Sequence, residues 1–300
     1  MSFPPRTHHD PCRVRKDAMD PKDEPAIQLA DSITHVPDSS SIARVIICGS
    51  HGGWASAVFA LKKRLKGILF NDAGGGKDQA GIAGLLLLEK HGICAATVDA
   101  FTARIGIARE TEAGIISHVN ALSQEAGICP GITARQAAEL IRKAPLRQPP
   151  ETGQKPGEIE EQMTLVHTSP RGIRIVTMDS NSMVTPENRN DIILTGSHGG
   201  LVGDAPAVKY PVIAAFYNDA GVGKENAGIA RLPWLQNAGI IAATVGAQTA
   251  RIGIGLETYR HGIISHANAL AVQMGISPGM RAKEAAWRIL REKEKQPRSP

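Results

Sequence analysis

A tandem duplication constrains this chain more than any other feature. GSHGG at 49–53 recurs at 196–200, NDAGGGK at 71–77 recurs as NDAGVGK at 218–224, and TARIGI at 102–107 recurs at 249–254, each 147 positions on. After a one-residue insertion, GIISHVNAL at 114–122 returns as GIISHANAL at 262–270. Such self-similarity is read before any local pattern, because it sets the folding unit. Two copies are too few, and each is too long, for a solenoid, so a pseudo-twofold pair resembling a fused homodimer is expected. The expected organisation is a flexible N-terminal tail over 1–24, repeat 1 over 25–146, a linker over 147–169, repeat 2 over 170–295 and a C-terminal tail over 296–300. Proline, glycine and charge between the copies, in PLRQPPETGQKPGEIEEQ, leave nothing there to build a core.

Within each copy, an apolar run ends in Asp-Ser (31–32 and 179–180), and RVIIC or DIILT then reads as a buried strand leading into Ser-His-Gly-Gly. A crossover precedes GILF or VIAAFY, after which come Asn-Asp-Ala-Gly, a helix and the short strand CAATV or IAATV. Continuous apolar strands joined by crossovers indicate a parallel sheet. The last third reads as helix over 110–126 and 257–274, with a final helix after Pro130-Gly131 or Pro278-Gly279. Pro233 weakens the middle helix of the second copy. The expected class is therefore α/β, as two tandem homologous repeats, each with a short, mostly parallel sheet flanked by helices.

Composition narrows the partners. The chain is 42% hydrophobic and 21% charged, and no apolar run approaches the roughly 18 residues of a membrane helix, so a soluble protein without a membrane partner is expected. The N-terminal MSFPPRTHHDPCRVRKD lacks the apolar stretch of a secretory signal, which makes cytoplasm the expected compartment. Cys12, Cys48, Cys94 and Cys129 show no CxxC spacing and read as reduced thiols. Of the formal charge of +5, residues 281–300 carry +4, and the 5 Phe, 3 Trp and 3 Tyr offer few stacking platforms. Sequence-specific nucleic-acid binding is not expected.

Ligands of open parallel sheets bind beyond the carboxyl ends of the strands, where the polar motifs fall. Between 54 and 70 only Ala60 and Lys62 match their counterparts, Ala207 and Lys209, whereas the adjoining loops are nearly identical. His51 and His198, flanked by Ser50 and Ser197, read either as general bases or metal ligands, or as turn-fixing side chains. Asp72 and Asp219 would orient those imidazoles or cap the following helix, and Asn71 and Asn218 suit the turn itself. Lys77 and Lys224 follow GGG or GVG, yet the Walker pattern is incomplete, so a small carboxylate or phosphate is a better ligand than a nucleotide. Arg104 and Arg251 could clamp a carboxylate, or pair with Glu110 and Glu257. His118 and His266, in Ile-Ile-Ser-His, read as packing or interface residues on a helix. Cys48, Cys94 and Cys129 are replaced in the second copy by Thr195, Ile241 and Ser277, which argues against a thiol nucleophile.

The order strand, His-Gly, strand, Asp-Ala, helix resembles the caspase-like peptidases, including their CHAT branch, in which the histidine and a cysteine after Ala form the dyad. The likeness covers about fifty residues per copy and implies an α/β fold. Gly74 and Gly221 stand at the cysteine position, which counts against thiol peptidase activity.

The expected function is an enzyme, a hydrolase or lyase, acting on a small anionic, carboxylate-bearing substrate. His51, Asp72, His198 and Asp219 would carry the acid-base chemistry, with Ser50, Lys77, Arg104, Glu110, Ser197, Lys224, Arg251 and Glu257 binding substrate. No cofactor and no metal are expected, since HExxH and compact His/Cys/Asp clusters are missing from the sequence. Association into a homo-oligomer is compatible with this reading. The competing classes are a non-catalytic sensor or binding module for a small anion, and an interaction scaffold.

Overall fold

The apolar runs of both copies become parallel strands, as expected for β-branched segments buried on both faces. The computed structural model describes residues 27–38, 44–147, 161–205 and 210–295. The tails at 1–24 and 296–300, Cys12 and most of the linker lie outside the described residues.

In repeat 1, β1 (Ile27–Ala30), β2 (Val45–His51), β3 (Gly67–Asn71) and β4 (Cys94–Val98) run parallel in that order. Helix α1 (Trp54–Lys62) joins β2 to β3 and α2 (Gly84–Lys90) joins β3 to β4. A short α3 (Ala108–Ala113) then leads into β5 (Ile116–Val119), antiparallel to β4, followed by α4 (Ala121–Glu125) and α5 (Ala134–Lys143). In repeat 2 the order is β6 (Met163–Thr168), β7 (Arg174–Met178), β8 (Asp191–His198), β9 (Ala214–Asn218) and α6 (Arg231–Asn237). It continues through β10 (Ile241–Val245), α7 (Gly255–His261), β11 (Ile264–Ala267), α8 (Ala269–Gln273) and α9 (Ala282–Lys295). Its sheet runs β11-β10-β9-β8-β7-β6, with both edge strands antiparallel.

Two local outcomes differ from the sequence reading. The helices expected over 110–126 and 257–274 are each broken by an antiparallel strand. Asn120 and Asn268 then start α4 and α8, their side chains accepting from Ser123 N and Ala271 N, while the same oxygens take Ala95 N and Ala242 N from the sheet. His118 and His266 consequently stand on edge strands, not on a helix. Residues 163–168, read as linker, form β6 and extend the second sheet. Residues 201–205, which match the first residues of α1, are irregular. The final helices form where Pro-Gly places them, α5 with a Thr133/Gln136 capping box. Pro233 sits in the first turn of α6, where a missing N–H is tolerated.

Each sheet buries apolar side chains on both faces. In repeat 1, Ile46, Ile68 and Phe70 meet α1 and α2, while Val45, Ile47 and Leu69 meet α5 through Ala134, Ala137 and Ile141. A further cluster joins the copies: Ala73, Ala80 and Ile105 pack with Ala220, Ala227 and Ile252, which are their own counterparts 147 positions on.

Candidate functional site

Both Ser-His loops leave parallel strands at their carboxyl ends and meet at one cavity. This cavity, of about 470 Å³, is lined by Ser50 and His51 from repeat 1 and by Ser197 and His198 from repeat 2, together with Arg231, Asp179 and Glu161. The chain reaches it by a bulge: the β2–β3 register shifts between Ile47 and His51, and the β8–β9 register shifts between Leu194 and His198. Ser50 Oγ accepts from Ile33 N at 3.1 Å and Ser197 Oγ from Asn181 N at 2.9 Å, which pins both hydroxyl oxygens and leaves their protons to donate.

The two imidazoles share one protonation state. His51 Nδ1 accepts from Gly53 N at 3.1 Å and His198 Nδ1 from Gly200 N at 3.2 Å, so the neutral rings carry their proton on Nε2. Burial pushes His51 down to about 4. Burial also pushes His198 down, to about 3, with the positive charge of Arg231 and the neighbouring His51 adding to the effect. Each ring therefore presents an Nε2–H donor at neutral pH. Neither makes the hydrogen bond to aspartate that the sequence suggested. Asp72 Oδ1 instead accepts from Gly74 N at 2.9 Å and Ala100 N at 3.0 Å, and Asp219 Oδ1 from Gly221 N at 3.0 Å and Ala247 N at 2.8 Å. Asn71 and Asn218 tie the same turns to Ala103 O and Ala250 O.

The Lys, Arg and Glu candidates come together elsewhere, across the junction between the copies. Lys77 Nζ lies 3.1 Å from Glu257, which also takes Arg251 at 3.6 Å, and Arg251 bridges to Asp78 at 2.7 Å. In the reciprocal group Lys224 Nζ lies 3.1 Å from Glu110, Arg104 pairs with Glu110 and Arg104 reaches Glu225 at 3.5 Å. Burial opposes ionisation of Glu110, but hydrogen bonds from the Arg104 side chain and backbone and from Lys224 pull its carboxyl down to about 2. Each group holds two cations and two carboxylates, so neither has surplus charge for an anionic ligand. Backbone bonds run alongside, from Lys77 N to Ala247 O and from Lys224 N to Ala100 O, both 2.8 Å.

Arg231, Asp179 and Glu161 line the cavity and were missed in the sequence as site residues. Arg231 occupies the place of Gly84: both donate their backbone N–H at 2.9 Å to the second glycine-loop carbonyl of their copy, Gly199 O and Gly52 O. Its side chain turns back to Gly200 O at 2.7 Å and lies 5.2 Å from the Tyr217 ring. Glu161 comes from the linker composition just ahead of β6. Its Oε1 is buried with no hydrogen-bond partner among the described residues. Burial raises its carboxyl above the usual range, with Asp179 adding to the rise and Ser180 and Lys62 opposing it. The change of Gly84 to Arg directly after the identical Ala-Gly-Ile-Ala at 80–83 and 227–230 was the available signal for Arg231; nothing local marks Glu161.

Cys48, Cys94 and Cys129 are free thiols, and burial pushes Cys48 up to about 11, far from a reactive thiolate. Among the described residues no three His, Cys, Asp or Glu side chains are grouped so as to hold a metal ion, and no helix is long and apolar enough to cross a membrane. No protein-family model, curated protein or solved structure matches the chain.

Proposed function

We propose that the two repeats form a pseudo-twofold pair whose shared cavity is the active site of an enzyme, a hydrolase or lyase, acting on a small carboxylate-bearing substrate in the cytoplasm. The twofold reading rests on the reciprocity of the junction, where the equivalent pairs Ala73/Ala220, Lys77/Lys224 and Glu110/Glu257 make matching contacts. The observation that carries the functional reading is the joint lining of one cavity by Ser50-His51 and Ser197-His198.

Neutral Nε2–H groups and serine hydroxyls fixed in a cavity are suited to holding an oxygen on which negative charge develops. Arg231 adds a cation that attracts a carboxylate. A proton on Nε2 prevents that atom from accepting another, so the acid-base role first expected of the histidines passes to Glu161. A carboxyl whose burial raises its affinity for a proton is suited to taking and returning one during a reaction. Asp72, Asp219, Lys77, Lys224, Arg104, Arg251, Glu110 and Glu257 position the loops that carry the site. An enzyme is favoured over a binding module by Glu161, because anion recognition by donors alone has no need of a buried carboxyl.

Turnover of a panel of small hydroxy-, keto- and amido-carboxylates, followed by mass spectrometry, tests the reading. His51→Ala and His198→Ala should each abolish turnover, falling about 100-fold or more, because the two rings act in one cavity. Glu161→Gln should bind substrate and not convert it. Binding without turnover in the natural protein supports the sensor reading instead. Full activity in both histidine variants removes the cavity from the mechanism.

A further inference from the structure

The cavity is not alone on its face of the molecule. Beside it runs a groove of about 810 Å³ walled by Trp54, Val58 and Phe59 of α1 and by Met183, Ile252 and Ile254 of repeat 2. Ala55, Phe59, Glu161 and Asp179 line both spaces, so the polar cavity opens directly into the apolar groove. Trp54 is 47% exposed and Ile254 37%, so both side chains are open to a molecule lying in the groove.

The copies differ at the residues that wall the groove. Helix α1 gives repeat 1 an apolar wall, while the equivalent stretch of repeat 2 is irregular over 201–205. At the opposite wall, Arg231 replaces Gly84 and puts a guanidinium where repeat 1 has no side chain. The joined space therefore has the Arg231 guanidinium, beside Glu161 and Asp179, at one end and apolar walls at the other.

Resting on the proposed anion site, we infer that the ligand is amphipathic: its carboxylate lies in the cavity toward Arg231 and its aliphatic or aromatic body lies in the groove against α1. A protein partner fits less well, since stable interfaces bury on the order of 1,200 Å² or more and the exposed apolar surface here is a narrow strip. Apolar burial is the driving force available to such a body, and it raises affinity by about fourfold for each methylene removed from water.

Calorimetric titration of the full chain with butyrate and with octanoate tests this directly. Octanoate should bind the natural protein at least about tenfold more tightly than butyrate. The variant Trp54→Ala/Ile254→Ser should lose that advantage while binding butyrate as before. Both positions are exposed, and retained butyrate binding reports an intact cavity. An octanoate advantage that is absent, or that survives undiminished in the variant, overturns the amphipathic ligand while leaving the anion site standing. If neither carboxylate binds, the anion reading fails and this inference with it.

Discussion

Lys77 and Glu257 stand 180 positions apart in the chain and 3.1 Å apart in the structure, and Lys224 and Glu110 repeat the contact in reverse at the same distance. Each glutamate is the shared acceptor of a Lys and an Arg and is under one-fifth exposed. Glu110→Gln or Glu257→Gln should therefore leave two cations facing each other. The expected loss is about 1 kcal/mol each, given the partial exposure of the cations, and it should shrink in high salt. Urea unfolding at low and high ionic strength reads both quantities. A loss that does not respond to salt would show that packing, not charge, joins the copies.

Acid should destabilise the protein through the two cavity histidines. Their folded values, about 4 and about 3, lie below the usual 6.5, so the unfolded chain binds more protons as pH falls from about 6.5. Stability is fully present above that point and is lost progressively on the way down to the folded values. At pH 5 each ring should cost about 2 kcal/mol. The double variant His51→Gln/His198→Gln should flatten this part of the profile, and equal acid sensitivity in both proteins would contradict it.

Gly106 and Gly127 offer a controlled pair. Both have left-handed backbones, φ 86° and 85°. A Cβ on Gly106 would lie 1.8 Å from Leu201 O, in the loop of the other copy, whereas one on Gly127 would meet nothing within 4 Å. Gly127→Ala should cost about 1 kcal/mol for backbone strain alone. Gly106→Ala should cost several times as much, about 3 kcal/mol or more, because the junction itself must move. Equal thermal midpoints for the two variants would mean that Gly106 does not sit against the second repeat.

Asp72 separates a loop-holding role from a catalytic one. Asn keeps the oxygen that accepts from Gly74 N and Ala100 N, so Asp72→Asn should retain turnover and lose less than about 1 kcal/mol. Asp72→Ala leaves both backbone donors without their acceptor and should cost about 2–3 kcal/mol. Loss of turnover in a stably folded Asp72→Asn protein would restore the aspartate to the chemistry.

The duplicated loops and the parallel strands were legible because their signals are local. RVIIC and DIILT are apolar over a whole strand, and Ser-His-Gly-Gly marks the strand end where ligands collect. ISHV and ISHA are too short to declare a strand, and the apolar residues around them mimic helical spacing. Met163–Thr168 pairs with β7 by a register that no composition reveals. The pairing of Arg104 with Glu110 and of Arg251 with Glu257 was legible as one of two readings, because each pair lies six residues apart. The roles of Lys77 and Lys224 were beyond reach for a different reason: their glutamate partners lie on the other copy, and sequence distance carries no trace of that contact. Glu161 escaped because its carboxyl is made unusual only by the walls folded around it.

Replacing a glycine by Arg231 in one copy, while the other carries α1 where 201–205 are irregular, has a consequence for how a molecule is read. A site made by two identical halves accepts an asymmetric guest in either of two directions with equal energy, and chemistry then proceeds from only one of them. On the proposed twofold arrangement, the unequal walls remove that ambiguity, and the guest enters head first. Suppressing one of two equivalent poses costs only about 0.4 kcal/mol in binding, the statistical factor of two. For catalysis it means that every occupied site is an oriented one, a directionality that a pair of separate, identical chains could not encode.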